Sequence, residues 1–137
     1  MRILGLDYGE VRTGVAISDE LGFLAHGLES IEHKGSDKKL LERLNEIIKE
    51  NKVEKIVIGY PLNMNATKGP RVQKTDAFIK KLETTTKLEV IKIDERLTTV
   101  SAHRTMTELG VSKDRKKKIV DTISAEYILQ MYLDKIR

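Results

Sequence analysis

Three acidic residues stand at positions from which a carboxylate could meet a metal ion. Asp7 ends an apolar segment, Glu95 directly follows another, and Asp121 opens a predicted helix near the end of the chain. Carboxylate oxygens are preferred ligands of the hard cations Mg²⁺ and Mn²⁺. Two such ions held about 3.5–4 Å apart can activate water and stabilise the leaving oxygen of a phosphodiester. If the fold brings the three acids together, they can form a metal site of that kind.

Each acid also has an ordinary structural explanation when it is considered singly. An aspartate after an apolar strand is common as a turn residue, and Asp121 in a first helical turn would complement the helix dipole. Glu95 lies between Asp94 and Arg96 and could form half of a surface ion pair. The three residues on their own therefore leave the function open.

The composition narrows the classes of site and partner. The chain has 137 residues, with 25 Lys and Arg against 21 Asp and Glu, and a net charge of +4. This length predicts a single domain over residues 1–137. The absence of cysteine excludes disulfides, thiol nucleophiles and Cys-ligated zinc or iron–sulfur sites, and the three histidines lack metal-ligand spacing.

The same sequence carries no sign of a membrane or of export. No apolar segment is long enough for a signal sequence or a membrane span, so we expect a cytoplasmic protein without membrane contact. The small excess of basic residues is a weak indication of an anionic partner, because basic residues often lie simply on a solvated face.

The elements that must position the acids follow from hydrophobic periodicity. Short or alternating apolar runs predict five strands, at residues 3–7, 14–18, 24–31, 55–59 and 88–93. In the third strand, alternate residues from Leu24 to Ser30 should share one side. Helical spacing predicts a helix capped by Ser36, a second begun by Pro70, a third over residues 99–109 and a last one from Asp121. The basic segment 113–118 is expected to be a connector.

The order of these elements predicts an α/β fold with one mixed five-stranded sheet. The first three strands follow one another closely and should form an antiparallel meander. The later strands alternate with helices and should run parallel to the first strand, so that helices cover both faces of the sheet. Ligands of such sheets bind beyond the strand ends, near the point at which the strand order reverses.

Four ordered blocks of sequence give a more specific indication. They are residues 5–9 with Arg12 and 14–19, residues 59–64 with 69–70, residues 94–99, and Asp121 with 124–125 and 128–130. These blocks resemble motifs of the YqgF family, also called RuvX. The family comprises proposed Holliday junction resolvases that are implicated in maturing the end of pre-16S ribosomal RNA. The resemblance covers nearly the whole chain.

The resemblance implies an RNase H-like fold, which agrees with the order of elements, and it implies that Asp7, Glu95 and Asp121 are the catalytic, metal-binding acids. Two Mg²⁺ or Mn²⁺ ions would then serve the hydrolysis of nucleic acid to 5′-phosphate and 3′-hydroxyl ends. The substrate is either branched DNA or precursor ribosomal RNA, and a homodimer is expected for symmetric cleavage of a junction. Ser124 stands where the family commonly has alanine, and we expect it to hydrogen-bond near Asp121.

Basic residues near these blocks are candidates for binding a nucleic-acid backbone, although each is also explained as a solvated charge. Some surround the start of the second predicted helix, where backbone amides and the dipole attract phosphate. The densest run lies just before Asp121. Aromatic residues make up 4% of the chain and are not interleaved with the basic ones, which favours contacts to the backbone over base stacking. The candidates are Arg12, Lys68, Arg71, Lys74, Arg96, Arg104, Lys113, Arg115, Lys116, Lys117 and Lys118.

Two other functions fit parts of the sequence. Asp7 with Gly9 and Gly14, which we expect in the turn between the first two strands, also resembles the first phosphate loop of actin-like ATPases. That fold needs two lobes, and 137 residues cannot supply the second. A non-catalytic nucleic-acid-binding module in transcription or ribosome assembly would keep the fold and the basic surface without a metal, and the sequence leaves this alternative open.

Overall fold

Five strands form one mixed sheet, as the order of elements predicts. The computed structural model describes residues 1–62, 65, 68–94 and 113–137. The strand order is β3-β2-β1-β4-β5, with β1–β2 and β2–β3 antiparallel and β1–β4 and β4–β5 parallel. The α/β fold class is therefore confirmed. The strands are β1 Arg2–Asp7, β2 Arg12–Ser18, β3 Ala25–Glu32, β4 Val53–Tyr60 and β5 Val90–Asp94.

The first two helices begin where the sequence predicts. Helix α1 spans Asp37–Asn51, and the hydroxyl of Ser36 accepts a hydrogen bond from the backbone N–H of Lys39 at 3.2 Å. Helix α2 spans Pro70–Thr86 and has its proline at the first helical position, where the missing N–H costs no hydrogen bond.

The last helix, α3, spans Lys113–Ile136, and its start differs from the prediction. The basic segment 113–118 was expected to be a connector, but it forms the first turns of α3. Lysine and arginine are good helix formers, and neither glycine nor proline interrupts the chain between residues 113 and 136. Asp121 therefore lies in the third turn, so it is not a first-turn acid that complements the dipole. The helix predicted at 99–109 lies outside the described residues.

Side chains alternate along the strands, so that each face of the sheet has its own core. Leu4 and Leu6 of β1 pack with residues of α1 and α2 on one face. Ile3 packs with residues of α3 on the other face, and Leu129 of α3 lies directly over Gly5. By the same alternation Asp7 shares the α3 face. Within the described residues, no helix combines the length and the apolar character needed to cross a membrane.

The edge strand β3 contains an irregularity that corrects a second expectation. Its register with β2 shifts between Val15 and Ala16, so that Leu28 is left out of the pairing as a bulge. Alternate residues from Leu24 to Ser30 therefore do not share one side. Gly27 and Ser30, three positions apart, both meet α3.

Two backbone N–H groups of β3 are bonded by side chains of α3. The N–H of Ala25 donates to Oε1 of Gln130 at 2.9 Å, and that of Gly27 donates to Oε1 of Glu126 at 2.7 Å. Helix α3 is thus held to the outermost strand as well as to the centre of the sheet.

Candidate metal centre

The carboxyl ends of the parallel strands meet at one edge of the sheet. Leu6 pairs with Ile58 between β1 and β4, and Tyr60 pairs with Asp94 between β4 and β5. Asp7 is the last residue of β1 and is half-buried at this edge. Glu95 follows Asp94 in the sequence, but it lies outside the described residues.

Gly14 brings Asp121 to the same place. It pairs with Asp7 across β1 and β2, and a Cβ atom added to it would overlap the backbone carbonyl of Asp121. Helix α3 can therefore rest on β2 at this point only because residue 14 has no side chain. Gly14 was expected to begin the second strand and to permit the turn before it, but β2 already begins at Arg12, so Gly14 lies within the strand. The structure thus makes Asp7 and Asp121 neighbours of the same residue.

The carboxylate of Asp121 is held through one of its oxygens. Nε of Arg12 and the hydroxyl of Ser30 both donate to Oδ2, each at 2.9 Å. In the part of the chain that the structure describes, no hydrogen bond to Oδ1 is formed. The side chains of Arg12 and Asp121 are 25% and 18% exposed, so their ion pair is largely shielded from water.

Two serines near Asp121 differ from what the sequence predicts. The expected hydrogen bond from Ser124 is not formed, because its hydroxyl is buried and has no partner among the described residues. Ser30, by contrast, was not a candidate from the sequence. A serine within an edge strand has no local signal, since its partner Asp121 is 91 residues away.

The donor set at this edge fits a hard cation, although it is incomplete among the described residues. Asp7 and Asp121 supply only oxygen ligands, which suit Mg²⁺ or Mn²⁺, and the chain has no cysteine to favour a softer metal. The described residues contain no group of three or more acidic, histidine or cysteine side chains placed to hold a metal ion. Glu95, the third acid that the resemblance implies, lies outside the described residues.

Apart from Arg12 on β2, the described basic candidates lie at the starts of α2 and α3. Lys68 and Arg71 are exposed at the start of α2, and Lys74 bonds Glu10 at 2.8 Å, which lowers the pKa of that carboxyl. Arg115, Lys117 and Lys118 are exposed on the first turns of α3, with Lys116 half-buried among them. Arg96, Arg104 and the side chain of Lys113 lie outside the described residues.

The turn between β1 and β2 is anchored on the face opposite α3. The ring of Tyr8 stacks on Phe78 with centroids 4.3 Å apart, and its hydroxyl donates to Asp37 at 3.0 Å. Burial of the phenol, reinforced by that hydrogen bond, raises the pKa of Tyr8 to about 12. The backbone N–H of His33 donates to the carbonyl of Val11 at 2.9 Å. The residues that follow Asp7 are thus held in place by contacts with α1, α2 and the end of β3.

His33 is the titratable group beneath this turn. Its ring is buried, and its Nε2 lies 3.0 Å from the hydroxyl of Thr13, the residue that follows Arg12. The N–H of Gly35 points at Nδ1 from 3.3 Å. Burial lowers the pKa of His33, and it outweighs the opposing effect of the Asp37 carboxylate, because a buried imidazolium loses its hydration.

Acid is therefore expected to destabilise the fold through His33. The unfolded chain takes up the proton first, so the free energy of unfolding falls below about pH 6.5, by at most about 1.4 kcal/mol per pH unit. Urea unfolding at about pH 7.5 and about pH 5.5 measures this loss. His33→Gln should show a shallower pH dependence than the wild type, because it removes the buried imidazole. Equal pH slopes for the wild type and His33→Gln would contradict the assignment.

Comparison with known proteins extends these observations. The family model described as RuvX, Holliday junction resolvase, matches residues 1–135. A Ruminiclostridium cellulolyticum protein named "Putative pre-16S rRNA nuclease" is 62% identical over 136 residues, covering 99% of this chain and 96% of that protein. A Bacillus subtilis protein of the same name is 46% identical over 137 residues, covering 99% of each chain.

A similar solved structure is that of T. thermophilus RuvC in complex with Holliday junction substrate. It matches with a TM-score of 0.61 over 99% of this chain and 95% of that one, at 13% identity. At this identity the likeness concerns the fold, which is RNase H-like, as the resemblance of the sequence implies.

Proposed function

The chain belongs to the RuvX family, and from that premise we propose that it is a divalent-metal-dependent endonuclease that hydrolyses phosphodiester bonds of nucleic acid. The observation that carries the proposal is the meeting of Asp7 and Asp121 around Gly14. One carboxylate at the end of β1 and one on α3 offer oxygen ligands of the kind that a hard divalent cation takes. Precursor 16S rRNA, named for the relatives, is the first substrate to test, and a four-way DNA junction is the second.

In this proposal Asp7, Asp121 and Glu95 hold two Mg²⁺ or Mn²⁺ ions. When bound, the ions supply Lewis-acid activation of the attacking water and stabilise charge on the leaving oxygen. The chain contributes a rigid frame, since Asp7 belongs to the central strand β1 and Asp121 to the helix packed over it. Arg12 compensates part of the negative charge through its ion pair with Asp121.

The basic turns of α3 support contact with the nucleic-acid backbone. Arg115, Lys117 and Lys118 are exposed within the two turns that precede Asp121. Cations at a helix N-terminus oppose the helix dipole, so a bound phosphate would relieve an arrangement that is otherwise unfavourable. Such contacts read the backbone and its shape rather than the bases. Lys68 and Arg71, exposed at the start of α2, are further candidates of the same kind.

Removal of divalent metal tests the proposal. We expect the wild type to cleave at least one of the two substrates in Mg²⁺ or Mn²⁺, to lose cleavage in EDTA, and to regain it when metal is restored. Denaturing gels measure the rate, and end labelling should identify 5′-phosphate products. Cleavage that persists in EDTA would contradict metal dependence. Binding of both substrates without cleavage in either metal would instead favour a non-catalytic nucleic-acid-binding module.

A further inference from the structure

Two side chains from different strands bond the same oxygen of Asp121. Ser30, on the edge strand β3, and Arg12, at the start of β2, both donate to Oδ2 at 2.9 Å. A carboxylate turns about its terminal torsion with little preference of its own. Two donors converging on one oxygen remove that freedom, and they leave Oδ1 as the oxygen without a hydrogen bond among the described residues.

We propose that Ser30 is a positioning residue, which together with Arg12 holds Oδ2 of Asp121 so that Oδ1 is presented to a divalent cation shared with Asp7. The inference rests on the proposed function, because it assumes that Asp121 is a metal ligand. Carboxylates that bind metals are themselves commonly oriented by hydrogen bonds, and loss of such a partner weakens metal binding about 10- to 100-fold.

Ser30 is the more informative of the two donors. Its side chain is short and is fixed to a strand, whereas Arg12 reaches Asp121 through a long side chain that carries a positive charge. Removing Arg12 would change both the orientation of Asp121 and the local charge, and these changes affect cation binding in opposite directions. Removing the hydroxyl of Ser30 frees the carboxylate to turn without changing the net charge of the site.

The bulge at Leu28 belongs to the same arrangement. Ser30 meets Asp121 near the start of the contact between β3 and α3, and Gly27 meets Glu126 further along the helix. In a regular strand, residues three apart point to opposite faces. Ser30 reaches α3 because it pairs with Gly14, and the extra residue at Leu28 lets Gly27 face the same helix.

The test is a titration of the whole protein with Mn²⁺ in the absence of nucleic acid. The electron paramagnetic resonance signal of free Mn²⁺ measures how much of the ion is bound. We expect Ser30→Ala to bind Mn²⁺ about tenfold more weakly than the wild type and Ser30→Thr, which keeps the hydroxyl, to bind it nearly as well. The rise in melting temperature on adding Mn²⁺ should be smaller for Ser30→Ala and should be restored in Ser30→Thr.

A matched control separates positioning from a merely structural role. Ser36→Ala removes another serine hydroxyl, the cap of α1, and should lower the melting temperature while leaving the affinity for Mn²⁺ unchanged. If Ser30→Ala bound Mn²⁺ as tightly as the wild type while Asp121→Asn bound it more weakly, this inference would be overturned and the proposed function would stand. Equal Mn²⁺ binding by the wild type and Asp121→Asn would overturn both.

Discussion

Asp7→Asn is expected to lower the rate of phosphodiester cleavage by about a thousandfold or more. Asparagine keeps the size and shape of the side chain at the end of β1, but it loses the negative charge that would hold a cation. The fold should be retained, because residue 7 lies at the strand end, where it is only half-buried. Cleavage of precursor 16S rRNA and of the DNA junction in Mg²⁺ and Mn²⁺ measures the effect, with circular dichroism to verify folding.

Asp134→Asn is the matched control for this variant. Asp134 is exposed in the last turns of α3, where it bonds Gln130 and Arg137 far along the helix from Asp121. Its replacement removes one negative charge from the chain and should leave the cleavage rate within about twofold of the wild type. If Asp7→Asn cleaved as fast as the wild type, Asp7 would not be a catalytic residue, and a metal centre that includes β1 would be refuted.

Gly14→Ala is expected to lower the free energy of unfolding by about 3 kcal/mol or more, because the new methyl group would overlap the backbone of α3. Backbone cannot move aside as a side chain can, so the helix must lift from β2 at Asp121. The melting temperature should fall by roughly 10 °C for a chain of this size. Binding of Mn²⁺ should fall as well, since the same displacement separates Asp121 from Asp7.

Gly27→Ala offers a close comparison on the neighbouring strand. An added Cβ there would lie 2.6 Å from Oε1 of Glu126 and 3.2 Å from Cβ of Thr122, and Glu126 can move aside only by losing its hydrogen bond with the N–H of Gly27. We expect this variant to cost about 1 to 2 kcal/mol, less than Gly14→Ala, because no backbone atom is overlapped. If Gly14→Ala were no more destabilising than Gly27→Ala, the close approach of α3 to β2 would not be a constraint on the fold.

Local signals explain why much of the fold could be predicted from the sequence. The alternation around Leu4 and Leu6, the cap at Ser36 and the proline at position 70 each act within a few residues, and β1, α1 and α2, which they predict, are present. The position of Asp7 at the end of β1 followed from the same kind of signal, because an apolar run ends at it.

The contacts that complete the site could not be predicted from residues that are near one another in the sequence. Arg12 and Asp121 are 109 residues apart, and Arg12 was expected at the substrate rather than at this carboxylate. The contact of α3 with Gly14 was not predicted either, because the sequence of a strand does not show which element will lie on it. The start of α3 was missed for a local reason, since a run of like charges is also typical of a solvated connector. The contacts at Arg12 and Gly14, by contrast, join segments that are distant in the sequence.

The α3 side chains that bond the edge strand β3 also affect whether a strand of another molecule can pair with it. An unpaired edge strand normally offers its N–H groups to a second sheet, and continuous pairing of that kind leads to aggregation. On β3 the N–H groups of Ala25 and Gly27 are already taken by Gln130 and Glu126, and Leu28 interrupts the regular ladder between them and Ser30. The β3 edge is therefore closed to pairing with a second strand at these positions.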